Sequence, residues 1–203
     1  MELFVYEGKD ENQVLTKALE DLNLTVDDIL YKKEEVKGGL FKSTSTKFSI
    51  VKLTDIQKYL KDLLTNWLQD MGIEVSFETN IRKKQLNIKM FSNNNPILIG
   101  KNGQTLSALT TIAKQAIYNQ IGAYPYLNLD VENYKDKQVG HLERLAKNIA
   151  REVKATKTPV IMENMNSYER RIVHNVLTNI SGIKTESEGE EPNRHIVVKL
   201  KRD

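Results

Sequence analysis

Two glycines three residues apart, placed directly before a long amphipathic segment, are the feature that most restricts how this chain folds. The segment Ile99-Gly100-Lys101-Asn102-Gly103 precedes a run over residues 104–118 whose apolar residues recur at helical spacing. This order predicts a tight turn that opens onto a helix N-terminus. The first turn of such a helix has unpaired backbone N–H groups and carries the positive end of the helix dipole. With a lysine between the glycines, the turn suits a phosphate group.

The glycine spacing also leaves alternatives for this turn. It matches neither the GxxxxGK(S/T) nor the GxGxxG pattern of nucleotide-binding loops, so a mononucleotide pocket is disfavoured. A bare tight turn before a helix stays an alternative. The predicted helix directs one apolar face inward, made of Leu106, Leu109, Ile112, Ala113, Ala116 and Ile117.

Composition restricts the chemistry that the chain can perform. Its 203 residues are 39% hydrophobic and 28% charged, which is typical of a globular protein. There is no cysteine, and His141, His174 and His195 are far apart, so we expect no metal site and no cofactor. The acidic cluster at 188–191 has no histidine constellation beside it, so we expect no enzyme. Neither a signal peptide nor a membrane span is predicted.

Positive charge is concentrated in the central and C-terminal parts. Residues 1–52 carry 8 basic and 10 acidic side chains, 53–135 carry 9 and 7, and 136–203 carry 13 and 10. A polyanion would bind the last two parts, although ordinary solubility also explains so small a charge. A basic stripe on a predicted long helix either follows a phosphate backbone or pairs with Glu143 and Glu152. The stripe consists of Arg144, Lys147, Arg151 and Lys154.

The element pattern predicts an α+β fold of three small domains. Residues 1–52 predict a β-α-β unit with a turn at Gly38-Gly39 and a Ser/Thr-rich edge strand over 41–51. Residues 53–134 predict the order helix, strand, strand, short helix, helix, strand. Residues 135–203 predict the order α-β-α-β-β.

The second segment resembles a KH domain of type II. That family has the same element order and carries an Ile-Gly-x-x-Gly loop between its two adjacent helices, where residues 99–103 fall. The resemblance implies that the loop clamps a single strand of nucleic acid while bases lie over an apolar groove. Gly100 and Gly103 would then admit phosphate oxygens, Lys101 would pair with one of them, and Asn102 would donate a hydrogen bond.

The third segment resembles the R-3-H domain, which is named for its Arg-x-x-x-His pattern. Arg170 and His174 match this pattern, and their spacing places them on one helix face. The arginine would grip a phosphate or stack on a base, and the histidine would hydrogen-bond or stack beside it. Arg171 adjoins the pair and is a further candidate RNA-binding residue. The alternative is a solvated arginine beside a partly buried histidine.

The three segments in this order resemble the Jag family of SpoIIIJ-associated proteins over almost the full chain. The resemblance implies a bacterial cytoplasmic protein that binds single-stranded RNA, or single-stranded DNA, and regulates genes after transcription in cell elongation, division and cell-wall synthesis. The implied partners are the small KH protein KhpA, a second copy in a homodimer, and a membrane-associated partner of residues 1–52. The alternative is a protein-interaction scaffold that dimerises through its KH domain and docks at a membrane-associated complex.

Two features depart from the family pattern. The family's N-terminal unit ends in a Gly-Leu-Phe-Gly-x-Gly turn, whereas residues 38–43 are Gly-Gly-Leu-Phe-Lys-Ser. Many members also have a long charged linker before the KH domain, which in some of them carries a regulatory phosphothreonine, and here the linker is nearly absent. The short linker argues against phosphoregulation, and Thr44, Thr46 and Thr54 are the remaining candidate acceptors.

Overall fold

The structure is a computed structural model that describes residues 1–37 and 44–201. It divides into two compact units, Met1–Glu132 and Asn133–Asp203. The predicted turn at 38–39 and the partial glycine signature at 38–43 lie outside the described residues. No helix among the described residues is long and apolar enough to cross a membrane.

The first unit begins with a three-stranded antiparallel sheet in the order β1-β3-β2. The prediction of an edge strand is wrong, because β3 is the central strand and pairs on both sides. Its Phe48 and Ile50 alternate with polar residues and are fully buried against α1. The unit therefore has the order β-α-β-β, one strand more than expected. Its elements are β1 (Phe4–Gly8), α1 (Glu11–Leu22), β2 (Ile29–Val36) and β3 (Ser45–Lys52).

The remainder of the first unit confirms the predicted order of helix, two strands, two helices and strand. The strands β4 and β5 pair antiparallel, and β5 and β6 pair parallel in the order β4-β5-β6. A parallel pair needs a crossover connection, which the helices α3 and α4 supply. The elements are α2 (Leu53–Asp70), β4 (Val75–Arg82), β5 (Gln85–Ser92), α3 (Asn95–Ile99), α4 (Gln104–Ile121) and β6 (Tyr126–Val131).

Helix α2 follows β3 without an intervening linker, since Lys52 ends the strand and Leu53 begins the helix. The boundary predicted after residue 52 therefore lies inside a compact unit, and the division into three domains stays a prediction. Of the candidate phosphate acceptors, Thr46 is buried while Thr44 and Thr54 are exposed. The α2 side chains buried at helical spacing are Leu53, Ile56, Leu60, Leu64 and Leu68.

Ile112, which was predicted to face inward, and one apolar residue on the long helix of the second unit are exposed. Ile112 on α4 is 51% exposed, because it lies about 100° around the helix from the fully buried Ala113. On the long helix of the second unit, Leu145 is exposed beside the buried Ala146 for the same reason. Helical spacing gives the direction of the apolar stripe, and the neighbouring elements decide its width.

The second unit has the predicted order α-β-α-β-β. Its sheet is antiparallel in the order β7-β9-β8, and α5 and α6 pack together against it. The core between helices and sheet includes Ala146, Val153, Leu177 and Val198, all fully buried. The elements are α5 (Tyr134–Thr156), β7 (Val160–Asn164), α6 (Ser167–Thr178), β8 (Ile183–Glu188) and β9 (His195–Leu200).

Candidate nucleic-acid interface

The Gly-Lys-Asn-Gly loop reverses the chain between α3 and α4. Gly100, Asn102 and Gly103 have φ values of 72°, 50° and 75°, a region that favours glycine and tolerates asparagine. The N–H of Gly100 donates to the carbonyl of Pro96 at 2.8 Å, and the N–H of Gly103 donates to the carbonyl of Gly100 at 3.3 Å. These bonds and conformations fix the loop before any ligand binds.

Gly100 is required by the packing of the loop on the helix that follows. A Cβ atom at this position would lie 2.1 Å from the Thr105 Oγ1 atom and 2.9 Å from the Thr105 backbone nitrogen. The sequence interpretation assigned this glycine to the approach of a phosphate. The structure adds an internal reason, because only glycine lets the loop lie against the first turn of α4.

The start of α4 presents polar backbone and positive charge to solvent. Gly103 is the N-cap, and no side chain among the described residues caps this helix. The N–H of Gln104, the first residue of α4, donates to the Lys101 carbonyl, so a ligand would meet the later N–H groups of the first turn. Lys101 and Asn102 are exposed on the loop, while the buried Leu98 anchors α3 beneath it. The loop thus offers an ammonium, an amide and a helix N-terminus on one short segment.

The loop lies within a stretch of sequence that has no acidic side chain. The charge totals of the three segments do not reveal this stretch. Between Glu78 and Asp130 the sequence contains no carboxylate side chain, although it contains six basic residues. Lys89 lies 3.7 Å from the Glu78 carboxylate, and no acidic side chain within the stretch offsets the other five cations, so the stretch attracts a polyanion. The six are Arg82, Lys83, Lys84, Lys89, Lys101 and Lys114.

In the second unit, the guanidinium of Arg170 is engaged by the protein itself. Arg170 is 8% exposed. Its Nη1 donates to the Met165 carbonyl at 2.6 Å, and its Nη2 lies 2.9 Å from Glu191 Oε1. The structure therefore places this predicted phosphate ligand below the surface, where it ties the start of α6 to the turn before β9.

That turn, residues 189–194, is also attached to β7. The Met165 N–H donates to the Arg194 carbonyl at 3.0 Å, and Asn164 Nδ2 donates to Asn193 Oδ1 at 3.2 Å. Together with the bonds of Arg170, these contacts hold the acidic turn at the N-terminal end of α6. Arg170 therefore positions the acidic turn, which itself lies at the surface.

The N-terminus of α6 is fixed to α5 by a buried glutamate. Glu169 Oε2 accepts from the Asn166 N–H at 3.0 Å in a capping box, and Glu169 Oε1 accepts from Gln138 Nε2 at 3.1 Å. Burial, and then the negative charge of Glu169, raises the pKa of Tyr134 on α5. These contacts orient the exposed face of α6 relative to α5.

The exposed candidates on α6 are Arg171 and His174, which are one helical turn apart. His174 Nδ1 forms a hydrogen bond of 2.6 Å with Thr185 Oγ1 on β8, which fixes the ring orientation. Arg171, in contrast to Arg170, extends from the helix into solvent. The structure thus separates the predicted trio into one buried arginine and two surface groups.

All four residues of the basic stripe on α5 are exposed. Within residues 1–37 and 44–201, no ion pair involves Arg144, Lys147, Arg151 or Lys154. The alternative in which Glu143 and Glu152 neutralise the stripe is therefore absent from the structure. The described residues likewise contain no group of three or more His, Asp or Glu side chains that could hold a metal ion.

Glu186 on β8 gives a pH prediction for the second unit. Its carboxylate accepts from Lys199 and Lys184, which hold the pKa of Glu186 below its ordinary value of 4.5. The pairing stabilises the fold at a pH above 4.5, and this contribution is lost as the pH falls through the lowered pKa of Glu186. We expect Glu186→Gln to be less stable than wild type at neutral pH. In urea unfolding from about pH 7 to about pH 3, this difference should shrink, and a constant difference would contradict the pairing.

Comparison with known proteins agrees with this arrangement. A family model described as the R-3-H domain matches residues 140–200, and one described as the KH domain of KhpA/KhpB matches residues 56–127. The RNA-binding protein KhpB of Clostridium symbiosum is 35% identical over 209 residues, which cover 100% of this chain and 94% of that protein. KhpB of Bacillus subtilis is 32% identical over 202 residues, which cover 96% of this chain and 97% of that protein. KhpB of Lactiplantibacillus plantarum is 30% identical over 143 residues, which cover 70% of this chain and 44% of that protein.

Proposed function

We propose that this chain, which belongs to the KhpB (Jag) family, binds single-stranded RNA and catalyses no reaction. The observation that carries the proposal is the Gly-Lys-Asn-Gly loop, with Lys101 and Asn102 exposed at the uncapped start of α4. Phosphate oxygens would bind the Lys101 ammonium and N–H groups of the first turn of α4 beyond that of Gln104. The carboxylate-free stretch between Glu78 and Asp130 would lower the repulsion of the same strand.

The second unit would supply a second grip on the RNA. Arg171 and His174 would contact the strand directly, and the exposed stripe on α5 would follow its phosphates. Arg170 would serve as a positioning residue, because its guanidinium already bonds Met165 and Glu191. Two weak sites on one chain raise the effective RNA concentration at each other, which strengthens binding without further contacts.

Membership of the family extends the proposal to the cellular role. We infer a cytoplasmic post-transcriptional regulator that acts in cell elongation, division and cell-wall synthesis. KhpA is the proposed KH partner, since the matching KH family model covers both KhpA and KhpB. Single-stranded DNA is a weaker candidate ligand than RNA.

Exposed apolar side chains favour a scaffold function as the second candidate. Ile97 on α3 and Ile112 on α4 lie on the two helices that flank the loop, and each is about half exposed. Isolated apolar residues are ordinary on a surface, but two on adjacent helices suit either bases or a second KH domain. In the N-terminal sheet, Val5 on the edge strand β1 is also exposed and would contact a membrane-associated partner.

The test of RNA binding is the double variant Lys101→Asp/Asn102→Asp in the full chain. Carboxylates at the start of α4 repel phosphate, yet they favour the helix dipole, so the fold is preserved. We expect the affinity for a labelled single-stranded RNA of about 20 nucleotides to fall about tenfold at low salt. The measurement is fluorescence anisotropy over a salt series.

A matched control is Lys9→Asp/Asn12→Asp, which makes the same change in charge at exposed positions of the N-terminal sheet unit. This control should bind RNA as wild type does. Equal weakening by both double variants would mean that net charge alone governs binding, and the loop would then not be the site. Absence of RNA binding by wild type at low salt would refute the proposed function itself.

A further inference from the structure

We infer that the end of the KH sheet remote from the Gly-Lys-Asn-Gly loop carries a second surface for single-stranded RNA, on which bases stack against tyrosines beside a lysine-tipped hairpin turn. The inference rests on the proposed function and extends it to a site that the KH motif does not include. The surface, called the tyrosine end below, consists of Tyr118, Tyr124, Tyr126, Arg82, Lys83 and Lys84.

The strand pairing brings Arg82 and Tyr126 to one end of the sheet. Arg82 pairs with Gln85 across the β4–β5 hairpin, and Gln85 pairs with Tyr126 because β5 and β6 are parallel. The three residues therefore form one row across the sheet, at the end where the hairpin turn lies. Helix α4 finishes at the same end, since the chain enters β6 only five residues after Ile121.

The aromatic side chains at this end are open to solvent. Tyr126 is 70% exposed and Tyr124 is 55% exposed. Tyr118 and Tyr124 stack with centroids 4.4 Å apart and planes inclined by 19°. The Tyr124 hydroxyl donates to Gln115 Oε1 at 3.0 Å, so the stack is held in place on α4. Fixed, exposed rings are the platform on which unpaired bases of any sequence stack.

The adjoining turn supplies the positive charge that selects a polyanion. Lys83 and Lys84 form the two-residue tip of the hairpin and both have positive φ, 48° and 64°. Such tips favour asparagine and glycine, so two lysines here are costly for the fold and point to another use. Arg82 and Lys83 are exposed, and among residues 1–37 and 44–201 no ion pair involves either of them. Aromatic rings beside cations outside ion pairs match single-stranded nucleic acid.

The distance to the loop sets the length of RNA that reaches both sites. Helix α4 has 18 residues and therefore separates its ends by about 27 Å. A KH loop clamps about four nucleotides, so a strand bound only there does not reach the tyrosine end. A long RNA bound at the loop should also contact the tyrosines, and an RNA of about five nucleotides bound there should not.

The experiment compares labelled adenosine oligomers of about 20 and about five nucleotides on the full chain. We expect Tyr124→Ala/Tyr126→Ala to weaken binding of the long oligomer about tenfold and to leave the short one unchanged. The Phe variants of both positions keep the rings and should bind as wild type. Arg82→Glu/Lys83→Glu should weaken the long oligomer and lower the slope of log affinity against log salt by about one per lost phosphate contact.

Met71→Ala is the matched control, because Met71 is an equally exposed apolar side chain of the same unit. It should bind both oligomers as wild type does. The tyrosine end is refuted if its variants bind the long oligomer normally while Lys101→Asp/Asn102→Asp weakens both lengths. A change in oligomeric state by light scattering, with RNA affinity unchanged, would also overturn the inference. Failure of wild type to bind either oligomer would refute the proposed function instead.

Discussion

Replacing Gly100 by alanine is expected to destabilise the first unit more than any other single change in the loop. Gly100 has φ 72° and ψ 179°, a backbone conformation that is essentially restricted to glycine. The added Cβ would also meet Thr105, whose Oγ1 would lie 2.1 Å away. Strain and overlap together should lower the free energy of unfolding by about 3 kcal/mol.

The loss of stability in Gly100→Ala can be measured with a fluorescent residue that the protein already contains. Trp67 on α2 is the only tryptophan, so its fluorescence during urea unfolding reports on the first unit. RNA affinity should fall as well, because the loop moves away from the start of α4. A Gly100→Ala/Thr105→Ser variant keeps the hydroxyl and should not recover stability.

Gly103→Ala is the matched comparison within the same loop. Gly103 has φ 75° and ψ 12°, a left-handed conformation that alanine adopts at a cost of about 1 to 2 kcal/mol. We therefore expect Gly103→Ala to be the milder change. Equal loss of stability in both variants would show that positive φ alone matters and that the contact with Thr105 does not restrict the loop.

Replacing Arg170 by alanine is the second change with a large expected effect. It removes a charge-assisted hydrogen bond and leaves the Met165 carbonyl without that donor. The loss should lower the free energy of unfolding of the second unit by about 2 kcal/mol. The turn at 189–194 should loosen with it, which would be seen as faster hydrogen exchange of the Met165 amide, the donor to Arg194. The Trp67 transition should not change.

Glu191→Gln separates the two contacts of Arg170. Glu191 is itself exposed, so loss of this ion pair should cost less than about 1 kcal/mol. If Arg170→Ala leaves stability and Met165 exchange unchanged but lowers RNA affinity and its salt slope, the guanidinium contacts RNA directly. That result would reject the positioning role.

Much of the fold could be predicted because its signals are local. The apolar spacing of α2, the proline at the start of α3 and the two glycines each act within one or two turns of chain. The element orders of the second and third segments followed from these signals. The N-terminal sheet did not, since pairing of β3 with both neighbours depends on strands distant in sequence.

The sequence predicts where the candidate loop lies in the fold, and the roles of the candidate residues stay predictions. The loop lies where the motif placed it, and Lys101, Asn102, Arg171 and His174 are exposed. The burial of Arg170 was not predictable, because it depends on Met165 and on a glutamate 21 positions later in the chain. The carboxylate-free stretch was visible in the sequence, but counting charge by segment concealed it.

Periodicity, glycines and motif spacing are properties of short segments, so the sequence alone predicts the element orders of residues 53–203, the Gly-Lys-Asn-Gly loop and the family. The contacts of Arg170 with Met165 and Glu191, and the row that joins Tyr126 to Arg82, become visible in the folded chain. Burial and side-chain neighbours arise when strands and helices that are distant in sequence pack together. Local pattern gives each residue a face, and packing determines what that face contacts.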